Sequence, residues 1–182
     1  MKFKCIIIGI GSAILMGCAS FYDIDANNIP KYQKPTHVDT TYDISGRFSV
    51  NRRDRHDYGN FTWNKTSDYE ELNLNTPMGQ TIAQVRVERG IPTLTTRDHV
   101  YVGDDVEDML YDHLGIDLPI DYLHYWIAGV PFPGSPVTKE LADGFVQDGF
   151  NVEYLSWQDP NHPHILKCSS NDFVIKLLIT WK

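Results

Sequence analysis

From residue 42 onward, apolar and polar positions alternate with a period of two. "YDISGRFSV" sets Tyr42, Ile44, Gly46, Phe48 and Val50 on one face, and "YGNFTWN" groups Gly59, Phe61 and Trp63. "YEELNLN" places Leu72 and Leu74 opposite polar residues, and "TIAQVRVER" sets Ala83, Val85 and Val87 against Gln84 and Arg86. "FNVEYLSWQ", "PHILKCS" and "DFVIKLLITWK" finish the chain in the same way. Each run predicts a half-buried antiparallel strand. In Phe150, Val152 and Tyr154 a slip of one residue would exchange the two faces.

The middle of the chain has a longer period. In "GDDVEDMLYDHLGIDL", Asp104 is placed to cap a helix, with Glu107 three residues on. Val106, Met109, Leu110 and Leu114 form its apolar stripe, and Gly115 stops it. Pro119 opens a second helix, in which Leu123, Trp126, Ile127 and Val130 share a face before Gly129 and Pro131 end it. The predicted class is α+β, mainly β: a curved antiparallel sheet with two short helices over its concave side. Periodicity does not separate a sealed core from a cavity under a lid.

The N-terminus changes the picture. Lys2 and Lys4 precede an uncharged, mostly apolar run from Cys5 to Gly17. It is shorter than the roughly 20 residues of a membrane-spanning helix and has the flanks of a secretory signal. Leu15-Met16-Gly17-Cys18 resembles the bacterial lipobox, which implies a signal peptide over 1–17 and a lipid-modified Cys18 as the first mature residue. Ala19, not Asp, follows; by resemblance to enterobacterial sorting rules this directs the protein to the outer membrane. Two or more acyl chains, at about 0.8 kcal/mol per buried methylene, anchor a protein without a spanning helix. Residues 18–41 are polar and read as a lipidated tether, with a short helix near the join; 42–182 is then one domain.

Loss of Lys2 and Lys4 takes the formal charge from −8 to −10 in the mature chain, which argues against a nucleic-acid partner. Once Cys5 is removed and Cys18 acylated, Cys168 has no intrachain partner. Asp104, Asp105, Glu107 and Asp108 lack the spacing and central glycine of a calcium loop and read as a helix start. His162, His164 and Cys168 lack a fourth ligand for a structural zinc site. "NRRDRHD" reads as a solvated hairpin turn. There is no phosphate-binding loop, nucleophile elbow or HExxH motif, so no enzyme activity, cofactor or metal is expected. One feature stays unexplained by solubility: "LNTPMG" puts Met78 between Pro77 and Gly79, at a turn tip where polar residues are usual.

Taken in order, "ISGRFSV", "FTW", "LNTPMG" and "YWIAGVP" resemble the LolB family of outer-membrane lipoprotein receptors. The resemblance covers about residues 42–182 and is strongest at Gly46-Arg47-Phe48, Thr76-Pro77-Met78-Gly79 and Trp126 to Pro131. The soluble periplasmic carrier LolA is similar in fold but lacks the acylated cysteine. The resemblance implies an unclosed antiparallel β-barrel with a lid of short helices over an apolar cavity that holds acyl chains. It implies a wall of Phe48, Phe61, Trp63, Leu72, Leu74 and Val85, a cover carrying Leu123, Trp126, Ile127 and Val130, and a membrane-insertion loop at Pro77, Met78 and Gly79. At the position of Met78 the family commonly has leucine. The implied partners of this monomer are a LolA-like carrier, acylated lipoprotein cargo and the inner leaflet of the outer membrane, which Cys18 would hold from the periplasmic side. The alternative is a structural or assembly envelope lipoprotein with a solid core.

Overall fold

In the computed structural model, residues 31–115 and 118–182 are described; Cys18 and the signal lie outside them. Strands β1 (Tyr42–Arg52), β2 (His56–Lys65), β3 (Tyr69–Asn75), β4 (Thr81–Glu88), β5 (Ile91–Thr96) and β6 (Val100–Val102) run as a meander. Helices α1 (Val106–Leu114) and α2 (Ile120–Trp126) follow, then β7 (Val137–Leu141), β8 (Gly144–Gln147), β9 (Phe150–Asp159), β10 (His162–Ser169) and β11 (Phe173–Trp181). The sheet order is β6-β5-β4-β3-β2-β1-β11-β10-β9-β8-β7, antiparallel between neighbours, with β6 and β7 as edges that do not pair with each other. This is the expected unclosed half-barrel. The chain crosses from one edge to the other through the two helices, so topology itself places them over the open side.

Alternation accounts for the inner face. In β11, Phe173, Ile175, Leu177 and Ile179 are buried, and the residues between them are more exposed. Leu72 and Leu74 of β3 and Ala83 and Val85 of β4 do the same. Val152 and Tyr154 share this interior, with Phe150 at its margin. Coiling of the sheet requires Gly46: a Cβ there would sit 1.8 Å from the Leu178 carbonyl oxygen and 3.0 Å from the Phe61 ring.

Four strands, β5 to β8, go beyond the sequence reading. In β5 only Pro92 and Leu94 are buried, with Ile91 exposed, and β6 and β8 are three and four residues long. The helices also differ in detail. Asp105, not Asp104, caps α1, its carboxylate accepting the Asp108 amide at 3.0 Å. The second helix stops at Trp126, and Ile127, Ala128 and Val130 continue as buried turns. Gly115 ends α1 in the left-handed conformation, as expected.

The largest difference concerns the tether. Residues 32–39 lie against the barrel as a strap. The Tyr32 amide donates to the Ala142 carbonyl at 2.8 Å, and its ring stacks on Tyr154 with centroids 5.2 Å apart. Its hydroxyl donates to the Gly129 carbonyl at 3.0 Å. Partial burial with Glu140 nearby pushes the Tyr32 phenol up to about 12, so it stays a donor. Pro35 is buried. The polar composition of the strap concealed a few well-placed anchors.

Candidate functional site

A small hollow lies between the inner face of the sheet and α2. Phe48 and Val50 of β1, Phe61 and Trp63 of β2, Leu72 and Leu74 of β3 and Ile175 and Leu177 of β11 form its wall. Leu118, Ile120 and Leu123 close it from the lid side. Every lining residue is apolar. The free volume is about 30 Å³, room for one or two water-sized groups. As it stands, the hollow is too small to hold an alkyl chain of any length.

Of the residues expected at the cavity, Phe48, Phe61, Trp63, Leu72, Leu74 and Leu123 line it. Val85, Trp126, Ile127 and Val130 are buried but lie away from this hollow. Val50, Ile175 and Leu177 were legible as inward positions of their strands; Leu118 and Ile120 were not, because they belong to the junction between the helices.

Trp126 has another role. Its indole nitrogen donates to Gln147 Oε1 at 2.9 Å, and its carbonyl accepts from the Tyr154 hydroxyl at 3.0 Å. Fully buried Gln147 also accepts the Phe132 amide and donates to the Phe132 and Ser135 carbonyls, both at 2.7 Å. The C-terminal end of α2 is thereby bolted to β8 and β9. Alternation cannot reveal a network whose members come from four separate segments.

The rest of the lid is buried through Met109, Leu110, Ile120 and Leu123 and has its own polar ties. Arg52 donates to the Gly115 carbonyl at 2.5 Å, a cation at the negative end of α1. The Tyr122 hydroxyl donates to Asp148 at 2.8 Å in an exposed setting. Glu107 accepts the Asp121 amide at 3.1 Å and joins α1 to α2. His124 faces Tyr42 on the wall, its Nδ1 lying 2.8 Å from the hydroxyl oxygen. Beside it, a cleft of about 480 Å³ is lined by carboxylates, among them Asp39, Glu70 and Asp121, and by apolar side chains, among them Val38, Val87 and Phe132. That cleft is larger than the hollow and carries ionisable groups, which the hollow does not.

The Met78 turn is built to project. The Gly79 amide donates to the Thr76 carbonyl at 2.9 Å and the Thr76 amide to the Gln80 carbonyl at 2.8 Å, closing a three-residue hairpin loop. Pro77 takes the first corner, and Gly79 adopts φ +86, which a side chain would strain. The Gln80 amide donates to the Thr76 hydroxyl at 3.1 Å, which stiffens the base. Met78 is left 93 % exposed.

Among the described residues, no cluster of three or more His, Cys, Asp or Glu side chains is disposed to hold a metal ion, and no helix is long and apolar enough to cross a membrane. His162 instead lies between two carboxylates, with Asp159 2.6 Å from Nδ1 and Asp39 2.9 Å from Nε2.

An unclosed antiparallel half-barrel, lidded by helices over an apolar hollow and carrying an exposed apolar turn, defines a mainly β, open-barrel class of fold. Comparison with known proteins gives the family. The model of the family described as "Outer membrane lipoprotein LolB" matches residues 40–181, and the chain belongs to that family. It is similar to the outer-membrane lipoprotein LolB of Chromobacterium violaceum, with 27 % identity over 172 residues covering 93 % of each chain. The Neisseria meningitidis protein of that name is 31 % identical over 135 residues, 74 % of this chain and 67 % of the relative. That of Pseudomonas fluorescens is 27 % identical over 201 aligned positions, covering 100 % of this chain and 97 % of the relative.

Proposed function

We propose that this chain is a lipid-anchored receptor of the outer membrane that accepts lipoproteins from a LolA-like periplasmic carrier and delivers them to the inner leaflet. It binds their acyl chains between sheet and lid and uses no nucleotide. The observation that carries this reading is the wholly apolar lining beneath the lid. A sixteen-carbon chain exposed to water costs on the order of 13 kcal/mol, at ~0.8 kcal/mol per methylene. Cargo therefore moves between apolar enclosures. Each stage buries similar area, so a bias of about 1.4 kcal/mol suffices for a tenfold preference. Cys18 holds the protein on the periplasmic face, and Met78 enters the leaflet, where its burial is worth roughly 1.5–3 kcal/mol.

The direct test is saturable binding of a fluorescent fatty acid, with Met78→Glu as the delivery variant. Met78→Glu should still accept cargo from the carrier but should transfer less of it to liposomes. Undiminished delivery would remove the wedge role. The small free volume of the hollow favours a second reading, an envelope lipoprotein with a solid core; failure to bind the probe at any concentration would establish it.

A further inference from the structure

We propose that the domain docks on the bilayer through the outer face of β2 to β6 at the Met78 end, so that Tyr58, Val100 and Val102 meet lipid beside Met78. The inference adds an interaction surface to the delivery reading and rests on it for its purpose, though the test separates the two.

Strand pairing collects these residues. In the antiparallel meander the β1–β2, β3–β4 and β5–β6 turns all lie at one end of the sheet. Buried Phe61, Leu74, Ala83 and Leu94 point into the barrel, so their neighbours along each strand point out. Tyr58, opposite Ser49 near the first turn, is 64 % exposed. Val100, opposite Thr95 just after the third turn, is 65 % exposed, and Val102, opposite Thr93, is 70 % exposed. Met78 projects from the turn between them. Four of the seven large apolar side chains exposed among the described residues therefore share this end of the outer face. Single exposed apolar residues are ordinary; a group of them marks a contact surface.

The ground between them is uncharged. One cross-strand row runs through Thr62, Asn73, Gln84, Thr95 and Val100, from β2 to β6. Its polar members satisfy one another: Gln84 Nε2 donates to Asn73 Oδ1 at 2.8 Å, and Asn73 Nδ2 to Thr62 Oγ1 at 3.2 Å. Nearer the turn, Asn60 Nδ2 donates to the Thr76 and Pro77 carbonyls at 3.4 Å. Amides that already have partners lose less on leaving water than bare ones, and far less than ions. Charge begins one row further from the turn, at the Glu71–Arg86 pair, and on β1 at Arg47, opposite Asn60. Arg97 and Asp98 stay exposed at a turn tip, where headgroups and water solvate them.

In a chain of formal net charge −8, a face that buries no ionised group suits a phospholipid interface. The family is one of outer-membrane lipoproteins, so a bilayer is the surface within reach. A strand added to the free edge of β6 would find only three residues to pair with, and Val100 and Val102 point across the sheet face instead of along that edge. A wedge at Met78 alone leaves the domain free to pivot. Contacts spread from β2 to β6 hold it on its side, with the free edge β6 against the leaflet.

The test places a nitrobenzoxadiazole label, one site at a time, through Tyr58→Cys, Met78→Cys, Val100→Cys and Val102→Cys. The full-length lipidated protein is reconstituted on liposomes of phosphatidylethanolamine and phosphatidylglycerol. Cys168 is buried and stays unlabelled. Ile91→Cys, at the opposite end of β5, and Val137→Cys, on β7, are the controls; all six side chains are exposed, so labelling spares the core. The four labels should be quenched severalfold more by doxyl-lipid than by aqueous iodide, and the controls the reverse. Lipid quenching at Met78 with iodide quenching at Tyr58, Val100 and Val102 overturns the docking face and leaves the Met78 wedge standing. Lipid quenching at those three with Met78 in water keeps the face and removes the wedge. Shielding of Val100 and Val102 only when the LolA-like carrier is added marks a protein-docking surface and overturns the proposal.

Discussion

Two segments outside the sheet, the lid and the N-terminal strap, each meet it at a histidine, and their surroundings shift the two rings in opposite directions. His162, facing the strap, sits between Asp159 and Asp39. Partial burial acts to lower its proton affinity, but hydrogen bonds to the two carboxylates outweigh it and the balance is raised. His124, on the lid, is buried beside Glu70, and its balance is lowered. At His124 burial dominates, whereas at His162 the two carboxylates outweigh it. A histidine between two carboxylates gains by taking a proton, so acid tightens the strap.

The largest effect should come from the bolted end of the lid. Trp126→Ala removes a fully buried aromatic and one of the two hydrogen bonds to Gln147 Oε1, and should cost about 3–5 kcal/mol in denaturant unfolding. A loss below about 1 kcal/mol would show that α2 has no fixed end. On the strap, Tyr32→Ala should cost about 1–2 kcal/mol through lost stacking and the lost bond to Gly129. If stability is unchanged, residues 32–39 are a free tether after all. The smallest effect belongs to Asp39→Asn, under about 1 kcal/mol for a partly exposed pair. Its pH dependence is more telling than its size. His162 has a raised value, so its stabilisation is fully present below 6.5 and disappears as pH rises through that raised value. The gap between wild type and Asp39→Asn should therefore close in alkali; a gap that widened would reverse the assigned charge state.

The strands that carry the hollow were legible because each has one wet and one dry face, and a two-residue period records that directly. Phe61, Trp63, Leu72 and Leu74 needed nothing more. Leu118 and Ile120 were illegible because the link between the helices has no period of its own. Helical spacing puts Trp126 on one face with Leu123, Ile127 and Val130, yet the space it fills is set by Gln147 and Tyr154, from distant strands. The strap was hidden for a related reason: one tyrosine and one proline among polar residues carry no pattern, and their partners lie about a hundred residues away.

Met78 shows where the boundary lies. Its exposure follows from local chemistry alone, since Pro77 and Gly79 specify a tight loop whose middle residue points away from both strands. Strand faces, helix stops and that projecting side chain are short-range consequences of sterics and solvation, and the sequence by itself determines them. The free volume beneath the lid, the surroundings of His124 and the fastening of the strap depend on which distant groups arrive at the same place. Only the tertiary structure decides those, because hydrogen-bond capacity and packing volume are shared among neighbours that the chain brings together only when it folds.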